Sequence, residues 1–457
     1  MRNSHNHRAK HRADLTPVSN WGNYPEVAAK LYTFTEVEEA RALLSHINRA
    51  ISRGNGRCYG DSALAENIIS TLRYNKFLAF DPQNGLLCCQ AGVTLSDILE
   101  VIVPRGWFLP VTPGTKLITI GGAIASDVHG KNQHKDGTFC EYVVQLELML
   151  ANGELVTCSR NENTELFFST CGGMGLSGLI LNVMIRLKPI ETAYIRQETI
   201  RARSLDHLMD LFEASAGWTH SMAWIDCLTQ GQDMGRGILM RGEHARLGEL
   251  TTAAQRQRPL IIKPRRKLNV PFALPNFTLN RFTVRAFNYL YYHHHPDRPV
   301  TRLVDYDVFF YPLDAIANWN RIYGKRGFTQ YQFILPRSAG RAGLANLLRT
   351  IAGSGAGSFL AVLKLYGPQY GYLPFAMEGY SLALDFPITS GLFDLLNELD
   401  KMVLAYGGRL YLTKDARMSR EMFLAGYPQA ELFIEKVSQF NPDAKFRSLQ
   451  SNRLGIT

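Results

Sequence analysis

Arg53-Gly54-Asn55-Gly56-Arg57-Cys58-Tyr59-Gly60-Asp61-Ser62 places three glycines within seven residues, directly after a short run beginning at Ile51. Glycine at this density lets a backbone approach a ligand closely and aim N–H groups at a pyrophosphate. No Gly-Lys-Ser/Thr ends the loop, so it is not a Walker loop, and the helix and acidic residue of a Rossmann fingerprint are weakly developed. Two further stretches repeat the device. Pro110-Val111-Thr112-Pro113-Gly114-Thr115 leads to Thr119-Ile120-Gly121-Gly122-Ala123-Ile124-Ala125-Ser126-Asp127-Val128-His129-Gly130-Lys131-Asn132, where small residues leave one face bare. Gly172-Gly173-Met174-Gly175-Leu176-Ser177-Gly178 then precedes a strand. One such cluster serves packing; three along one α+β region indicate a large, flat cofactor.

Around these loops the chain alternates short strands and helices. Leu31 to Phe34 reads as a strand, and the Thr35/Glu38 spacing as a capping box for a helix with Val37, Ala40, Leu44 and Ile47 on one face. Phe77–Phe80 and Leu86–Ala91 flank an Asp-Pro-Gln-Asn-Gly turn and form a hairpin. Thr94 and Asp97 open a second helix. From about Tyr194 the aromatic and branched runs Ser221–Cys227, Tyr306–Tyr311, Gln330–Leu335, Leu360–Tyr366 and Tyr380–Phe386 read as strands. Leu205–Ala214, Ala315–Tyr323 and Leu392–Tyr406 read as the helices that flank them. The expected division is a basic tail over 1–15, a first domain over 16–192, a second over 193–408, and a return to the first over 409–457.

At 457 residues, 46% hydrophobic and 20% charged, the composition is that of a soluble globular protein, too long for one ordinary core. No run of ~18 apolar residues appears, and the basic segment Met1 to Arg12 lacks an apolar h-region. The seven cysteines include no C-x-x-C pair, which points to reduced thiols and no zinc site. These features place the chain in the cytoplasm.

In order along the chain, SRGNGRCYGDS, PVTPGT, TIGGAIASDVHGKNQH, GTF and LFFSTCGGMGLSGLI resemble the vanillyl-alcohol oxidase/p-cresol methylhydroxylase family of FAD proteins. AWIDC, YPLDAIANWNRIYGKRGFTQYQFILP, FLAVLKLYGP, LALDFPITSG and GGRLYLTKDAR narrow the resemblance to its polyprenylphosphoryl-ribose 2′-oxidase subgroup, the flavin half of a ribose-to-arabinose epimerase. The similarity runs from Trp21 to Leu454. It implies the two-domain α+β FAD-binding fold of the vanillyl-alcohol oxidase type, with an antiparallel-sheet substrate domain flanked by helices.

The resemblance also implies site residues. FAD contacts fall on Arg53, Gly54, Asn55, Gly56, Arg57, Cys58, Tyr59, Gly60, Asp61 and Ser62, then on Gly114 and on Thr119, Ile120, Gly121 and Gly122. Ser126, Asp127, Val128, His129, Ile180 and Tyr411 complete the set. Covalent relatives tether the flavin to a histidine where Arg57 stands, so non-covalent FAD is expected. Lys414 and Tyr59 match the catalytic pair that handles the hydroxyl proton while a hydride leaves the carbinol carbon. Which of the two is the base stays open at this point. Lys364, Gln332, Lys131, Ser221, Trp224, Asp385 and Tyr311 are the expected substrate contacts. Mycobacterial members carry a cysteine where this chain has Ala383, and a subgroup tyrosine aligns with Phe310.

The formal charge of +10 is concentrated between Lys263 and Arg302, where eight cations oppose Asp297 alone. They interleave with Phe272, Phe277, Phe282, Phe287, Tyr289, Tyr291 and Tyr292. We read 258–302 as a mobile loop that meets the anionic head and apolar tail of a lipid-linked sugar at a membrane surface; nucleic acid is not expected. His293-His294-His295 reads as solvated rather than metal-binding. A separate NAD(P)H-dependent short-chain reductase is the implied partner. The alternatives are an oxidase of a soluble polyol or other sugar, and a non-catalytic flavin-fold module.

Overall fold

The computed structural model describes residues 14–457 and is an α+β protein built on three main sheets. Most of the expected basic tail therefore lies outside the described residues, and Leu15 already belongs to a strand. β1 (Leu15–Ser19) pairs antiparallel with β2 (Glu26–Thr33), after which α1 (Val37–His46) leads to β3 (Ile51–Arg53) and β4 (Asn67–Ser70). β2, β4 and β3 run parallel, so the first glycine-rich loop leaves the end of an edge strand. The expected capping pair at α1 is displaced by one residue. Glu39, not Glu38, accepts from the Thr35 N–H and hydroxyl at 2.8 and 3.0 Å, and Glu36 occupies the N-cap position.

The second sheet is antiparallel. The expected hairpin forms as β5 (Phe77–Asp81) and β6 (Leu86–Gln90), followed by α2 (Leu95–Ile102), whose Thr94/Asp97 capping box is present as read. A short helix α3 (Ile120–Ala125) precedes β7 (Val143–Met149), β8 (Leu155–Cys158) and β9 (Leu179–Arg186), giving the order β5-β6-β9-β7-β8.

The third sheet has eight strands and forms the wall of the site. In chain order its elements are β10 (Tyr194–Ala202), α4 (Leu205–Glu213), β11 (His220–Ile225), β12 (Gly237–His244), α5 (Arg281–His294), β13 (Val300–Asp305) and α6 (Tyr306–Phe310). They continue with β14 (Phe328–Pro336), α7 (Arg337–Ser354), β15 (Ala361–Tyr366), β16 (Gly379–Pro387), α8 (Leu392–Ala405) and β17 (Arg409–Leu410). The spatial order is β13-β10-β12-β11-β15-β16-β14-β17, with every neighbouring pair antiparallel.

Strand alternation divides this sheet cleanly. Ala223, Leu363, Leu382, Leu384 and Phe333 face α4, α7 and α8 and join one apolar core. A fully buried Leu or Phe on that face contributes about 1.5–3 kcal/mol. The intervening residues, among them Met222, Trp224, Gln332, Val362, Lys364 and Ala383, face the opposite way into a cavity.

Three segment expectations are corrected. Tyr306–Tyr311 is not a strand: the Asp305 carboxylate caps the Val308 N–H at 2.8 Å, and a helical turn buries Tyr306, Phe309 and Phe310 together. Ala315–Tyr323 is not one helix but two 3₁₀ turns, Pro312–Ala315 and Trp319–Tyr323, separated at the left-handed Asn318. Residues 258–302, expected as a loop, are not loop throughout. They contain the four-turn α5, capped by Asn280 and anchored by Val284, Asn288 and Tyr292 at i, i+4 and i+8.

Candidate active site

The glycine loops, α3 and the open face of the third sheet enclose one continuous cavity of about 680 Å³. One end is walled largely by glycine-rich backbone. A Cβ on Gly54 would strike the Thr119 hydroxyl, and one on Gly121 would lie 2.9 Å from the Ala91 Cβ. Gly56 has φ +58°, which a side chain adopts only at a cost. Thr119 caps α3 by accepting from the Gly122 N–H at 3.2 Å. Asn55 donates to the Leu117 carbonyl at 2.7 Å and ties the first loop to the second. Arg57 lies 4.1 Å from the centroid of Trp21 and faces the cavity with it. A flat tricyclic ring and its diphosphate fit such a slot, and the unpartnered Thr413 Oγ1 and His129 Nδ1 are polar atoms such a ligand can satisfy.

Lys414 and Tyr59 meet at the middle of the cavity. The Lys414 amine is 3.9 Å from the centre of the Tyr59 ring. Their backbones are joined as well: the Tyr59 N–H donates to the Thr413 carbonyl at 3.1 Å. Lys414 ends a 3₁₀ turn that follows β17, which is hydrogen-bonded to β14, so the sheet fixes its position. Burial pushes the Lys414 amine down to about 8, the nearby Asp385 carboxylate pulling it back up and Lys364 pushing it further down. Burial raises the Tyr59 hydroxyl well above its ordinary value, and Asp385 adds to the rise. A proton thus leaves Lys414 more readily than Tyr59, so at a given pH a larger share of the lysine is neutral.

Beyond this pair the wall turns cationic, then apolar. Lys364 lines the cavity and burial lowers it to about 8. Lys131 donates to the Phe309 carbonyl and is lowered to about 7 by burial and by Lys364. Gln332 bridges His129 at 3.3 Å and Ser381 at 3.2 Å. Burial, then Lys364 and Lys414, hold His129 well below its usual pKa, so its ring is neutral and packs on Tyr411, Tyr366 and Phe375. Trp224, its indole N–H bonded to the Phe359 carbonyl at 2.9 Å, opens the apolar end with Met222, Met240, Phe287, Tyr291 and Phe359.

Of the expected flavin contacts, Arg53 through Tyr59, Ser62, Gly114, Thr119, Gly121, Gly122, Ser126, Val128, His129, Ile180 and Tyr411 line the cavity. Gly60, Asp61, Ile120 and Asp127 do not. Gly60 sits where a Cβ would collide with the Asp415 carbonyl, and Asp61 pairs with Arg453 at 2.8 Å. Ile120 is buried in the core beside α2. Asp127 spends its oxygens on Thr138, Cys140 and Gln369, which shapes the loop rather than the slot.

Among the substrate candidates, Lys364, Gln332, Lys131 and Trp224 line the cavity, whereas Ser221, Asp385 and Tyr311 do not. Ser221 lies on the helix-packed side of β11 and holds the Lys131 carbonyl through its N–H at 2.9 Å. Tyr311 is wholly buried against Thr112, 2.6 Å from its hydroxyl, and Phe309 and Phe310 line the wall instead. Asp385 stands behind the wall. Sequence reading missed Trp21, Gln330 and Tyr366. Gln330 was recoverable, because it lies two residues from Gln332 on one strand and so shares its face; Trp21, in an irregular segment, carried no such signal.

Comparison with known proteins places these features in context. The FAD binding domain model matches residues 29–159. The chain is 36% identical over 438 residues to decaprenylphosphoryl-beta-D-ribose oxidase of Mycolicibacterium smegmatis, covering 94% of this chain and 93% of that protein. It is 32% identical over 373 residues to an uncharacterized protein in the mprA 5′ region of Streptomyces coelicolor, covering 80% of this chain and all of the other. L-gulonolactone oxidase of Scyliorhinus torazame shares 30% identity over 39% of this chain and 42% of its own length.

Proposed function

We propose, since this chain belongs to the decaprenylphosphoryl-β-D-ribose oxidase family of FAD-dependent oxidoreductases, that its substrate is a polyprenylphosphoryl-β-D-ribose oxidised at the 2′-hydroxyl. The observation that carries this reading is the single cavity that runs from the glycine slot, past Lys414 and Tyr59, into an apolar chamber. A sugar with a long apolar tail matches that sequence of walls; a free polyol leaves the apolar end unused.

FAD held along Arg53–Tyr59, Thr119, Gly121 and Gly122 would supply the hydride acceptor. The chain's own residues do the rest. Lys414 takes the hydroxyl proton, and Tyr59 holds the amine against its ring and orients the hydroxyl. Gln332 offers a hydrogen bond to the remaining sugar hydroxyls, while Lys131 and Lys364 supply positive charge for the phosphate. Trp21 and Arg57 close the flavin end against water. The flavin portion in this reading is 16–192 with the return at 409–457, and 193–408 is the substrate domain, the two-domain arrangement typical of the vanillyl-alcohol oxidase type. The product ketone is the first half of an epimerisation to arabinose, and a separate NAD(P)H-dependent short-chain reductase completes it.

The surface of α5 supports a cytoplasmic enzyme working peripherally at the inner face of the membrane. Phe282, Tyr289 and Leu290 project outward at 80%, 56% and 68% exposure, beside the exposed Arg281 and Arg285. The same helix lines the cavity with Phe287 and Tyr291. No helix among the described residues is long and apolar enough to cross a membrane.

Anaerobic mixing with a polyprenylphosphoryl-ribose and, separately, with free polyols tests the substrate assignment. The lipid-linked ribose is expected to bleach the oxidised flavin at far lower concentration. Equal bleaching by a free polyol would favour the soluble-sugar reading instead.

A further inference from the structure

Arg453, in the last helix Leu449–Leu454, ties together the two segments that carry Tyr59 and Lys414. Its guanidinium forks onto Asp61, Nε donating to one oxygen at 3.2 Å and Nη2 to the other at 2.8 Å. The same Nη2 donates to Asp415 Oδ2 at 2.8 Å, and Nη1 donates to the Met418 carbonyl. Asp61 stands two residues after Tyr59, and Asp415 directly follows Lys414. Both carboxylates are buried, and neither lines the main cavity. The backbones that bear them touch, since a Cβ on Gly60 would collide with the Asp415 carbonyl. The second Asp415 oxygen accepts from the Arg417 and Met418 N–H groups at 3.0 and 2.7 Å and so shapes the turn after Lys414. The helix is moored to both segments as well. The Leu449 N–H donates to the Leu64 carbonyl at 2.8 Å, and Gln450 donates to the Leu412 carbonyl at 2.7 Å.

Resting on the reading of Lys414 and Tyr59 as the catalytic pair, we infer that Arg453 is a positioning residue for it. Through Asp61 and Asp415 its guanidinium holds the first glycine loop against the lysine turn, and so sets how the Lys414 amine meets the Tyr59 ring. The two segments come from opposite ends of the chain, and the Tyr59 N–H already bonds the Thr413 carbonyl at 3.1 Å across the seam between them. Arg453 adds three charge-assisted bonds to the same seam. Such bonds are stronger than neutral ones, and the fork onto Asp61 fixes direction as well as distance. Two buried carboxylates that share one partner atom repel each other unless a cation stands between them. The guanidinium therefore lets loop and turn close up. A lysine in its place presents a single point charge and cannot fork onto Asp61 while it holds Asp415.

Reacting groups displaced by about 1 Å can lose roughly 10²-fold in rate. The FAD-loaded Arg453→Lys variant is therefore expected to reduce its flavin about ten- to a hundredfold more slowly per bound FAD. The substrate concentration for half-maximal rate stays where it was. Anaerobic stopped-flow mixing with a polyprenylphosphoryl-ribose reads both quantities, and flavin absorbance normalises the rate to the loaded fraction. A bridge that serves stability alone lowers FAD content or Tm but leaves the rate per flavin unchanged, and that result overturns the inference. Should Arg453→Lys fail to fold, Asp415→Asn carries the test. Its amide oxygen can still accept from Arg417 and Met418, while its NH₂ group faces the guanidinium and opens that arm alone. It is expected to slow the rate per flavin in the same way, and the double variant to add little more. Two losses that multiply in full would show separate actions and overturn the clamp. Arg420→Ala is the control, because Arg420 donates to the Leu454 and Gly455 carbonyls at 2.8 and 2.5 Å and steadies the same helix from its far end. Its rate per flavin is expected to match the parent; an equal loss there would assign the effect to the helix as a whole and overturn the role of Arg453. Turnover retained by Lys414→Ala would instead overturn the catalytic pair itself, so the two failures are distinguishable.

Discussion

Lys414→Ala is expected to keep its FAD and its fold but to lose flavin reduction by roughly 10²–10⁴-fold, the span that a positioned general base contributes. The cost falls on chemistry because Lys414 is placed by backbone, not by its own side chain. Its N–H bonds the Tyr411 carbonyl at 3.0 Å, and the turn is also held by Gln450, which donates to the Leu412 carbonyl at 2.7 Å. Truncating the amine leaves those bonds intact. In the unaltered protein the rate rises with pH as Lys414 loses its proton, with an inflection near the value of about 8 that burial imposes. The variant loses that inflection. Rapid anaerobic mixing across a pH series measures both, and a variant within a few-fold of the parent at all pH values would exclude Lys414 as the base.

The second large effect is expected at α5, the helix proposed to meet the membrane. Replacing Arg281, Phe282, Arg285 and Leu290 together with serine should weaken binding to vesicles containing anionic lipid by at least a hundredfold. Each basic residue near such a surface contributes on the order of 1 kcal/mol, and each exposed apolar side chain adds a share of the roughly 1.5–3 kcal/mol of full burial. Every 1.4 kcal/mol is about tenfold, so the four together exceed two decades. The substitutions leave the inner face of α5, Val284, Asn288 and Tyr292, untouched, and Asn288 keeps its 2.8 Å bond to Asp226. Vesicle sedimentation reads the loss, while the flavin spectrum confirms that the cofactor slot is intact. Unchanged sedimentation would assign the cations and aromatics of α5 to some other contact.

The parts of the site that were legible in the sequence leave a mark in composition or in parity. Glycine loops that must admit a ligand are poor in side chains, and Gly54, Gly56 and Gly121 show that poverty directly. Lys364 sits in an apolar strand run, so its charge implied a second, functional face, whereas Gln332 and Trp224 were reached through the family resemblance. Ser221 and Asp385 were misplaced for related reasons. Ser221 has the opposite parity to Trp224, and Asp385 has the right parity but lies past the edge of the cavity. Gly60 and Asp61 belong to a ligand loop yet turn toward Asp415 and Arg453, partners hundreds of residues away that local pattern cannot reveal. α5 escaped notice because Phe282, Tyr289 and Leu290 on its outer face blur the periodicity of its inner one.

The most direct check of the whole account is the flavin content of the purified chain after incubation with FAD and removal of excess. The predicted result is a yellow protein with one FAD per chain, all of it released into the supernatant by acid, because Arg57 offers no tether. A chain that stays colourless would contradict the slot assigned to the glycine loops, and flavin left on the precipitate would contradict its non-covalent attachment.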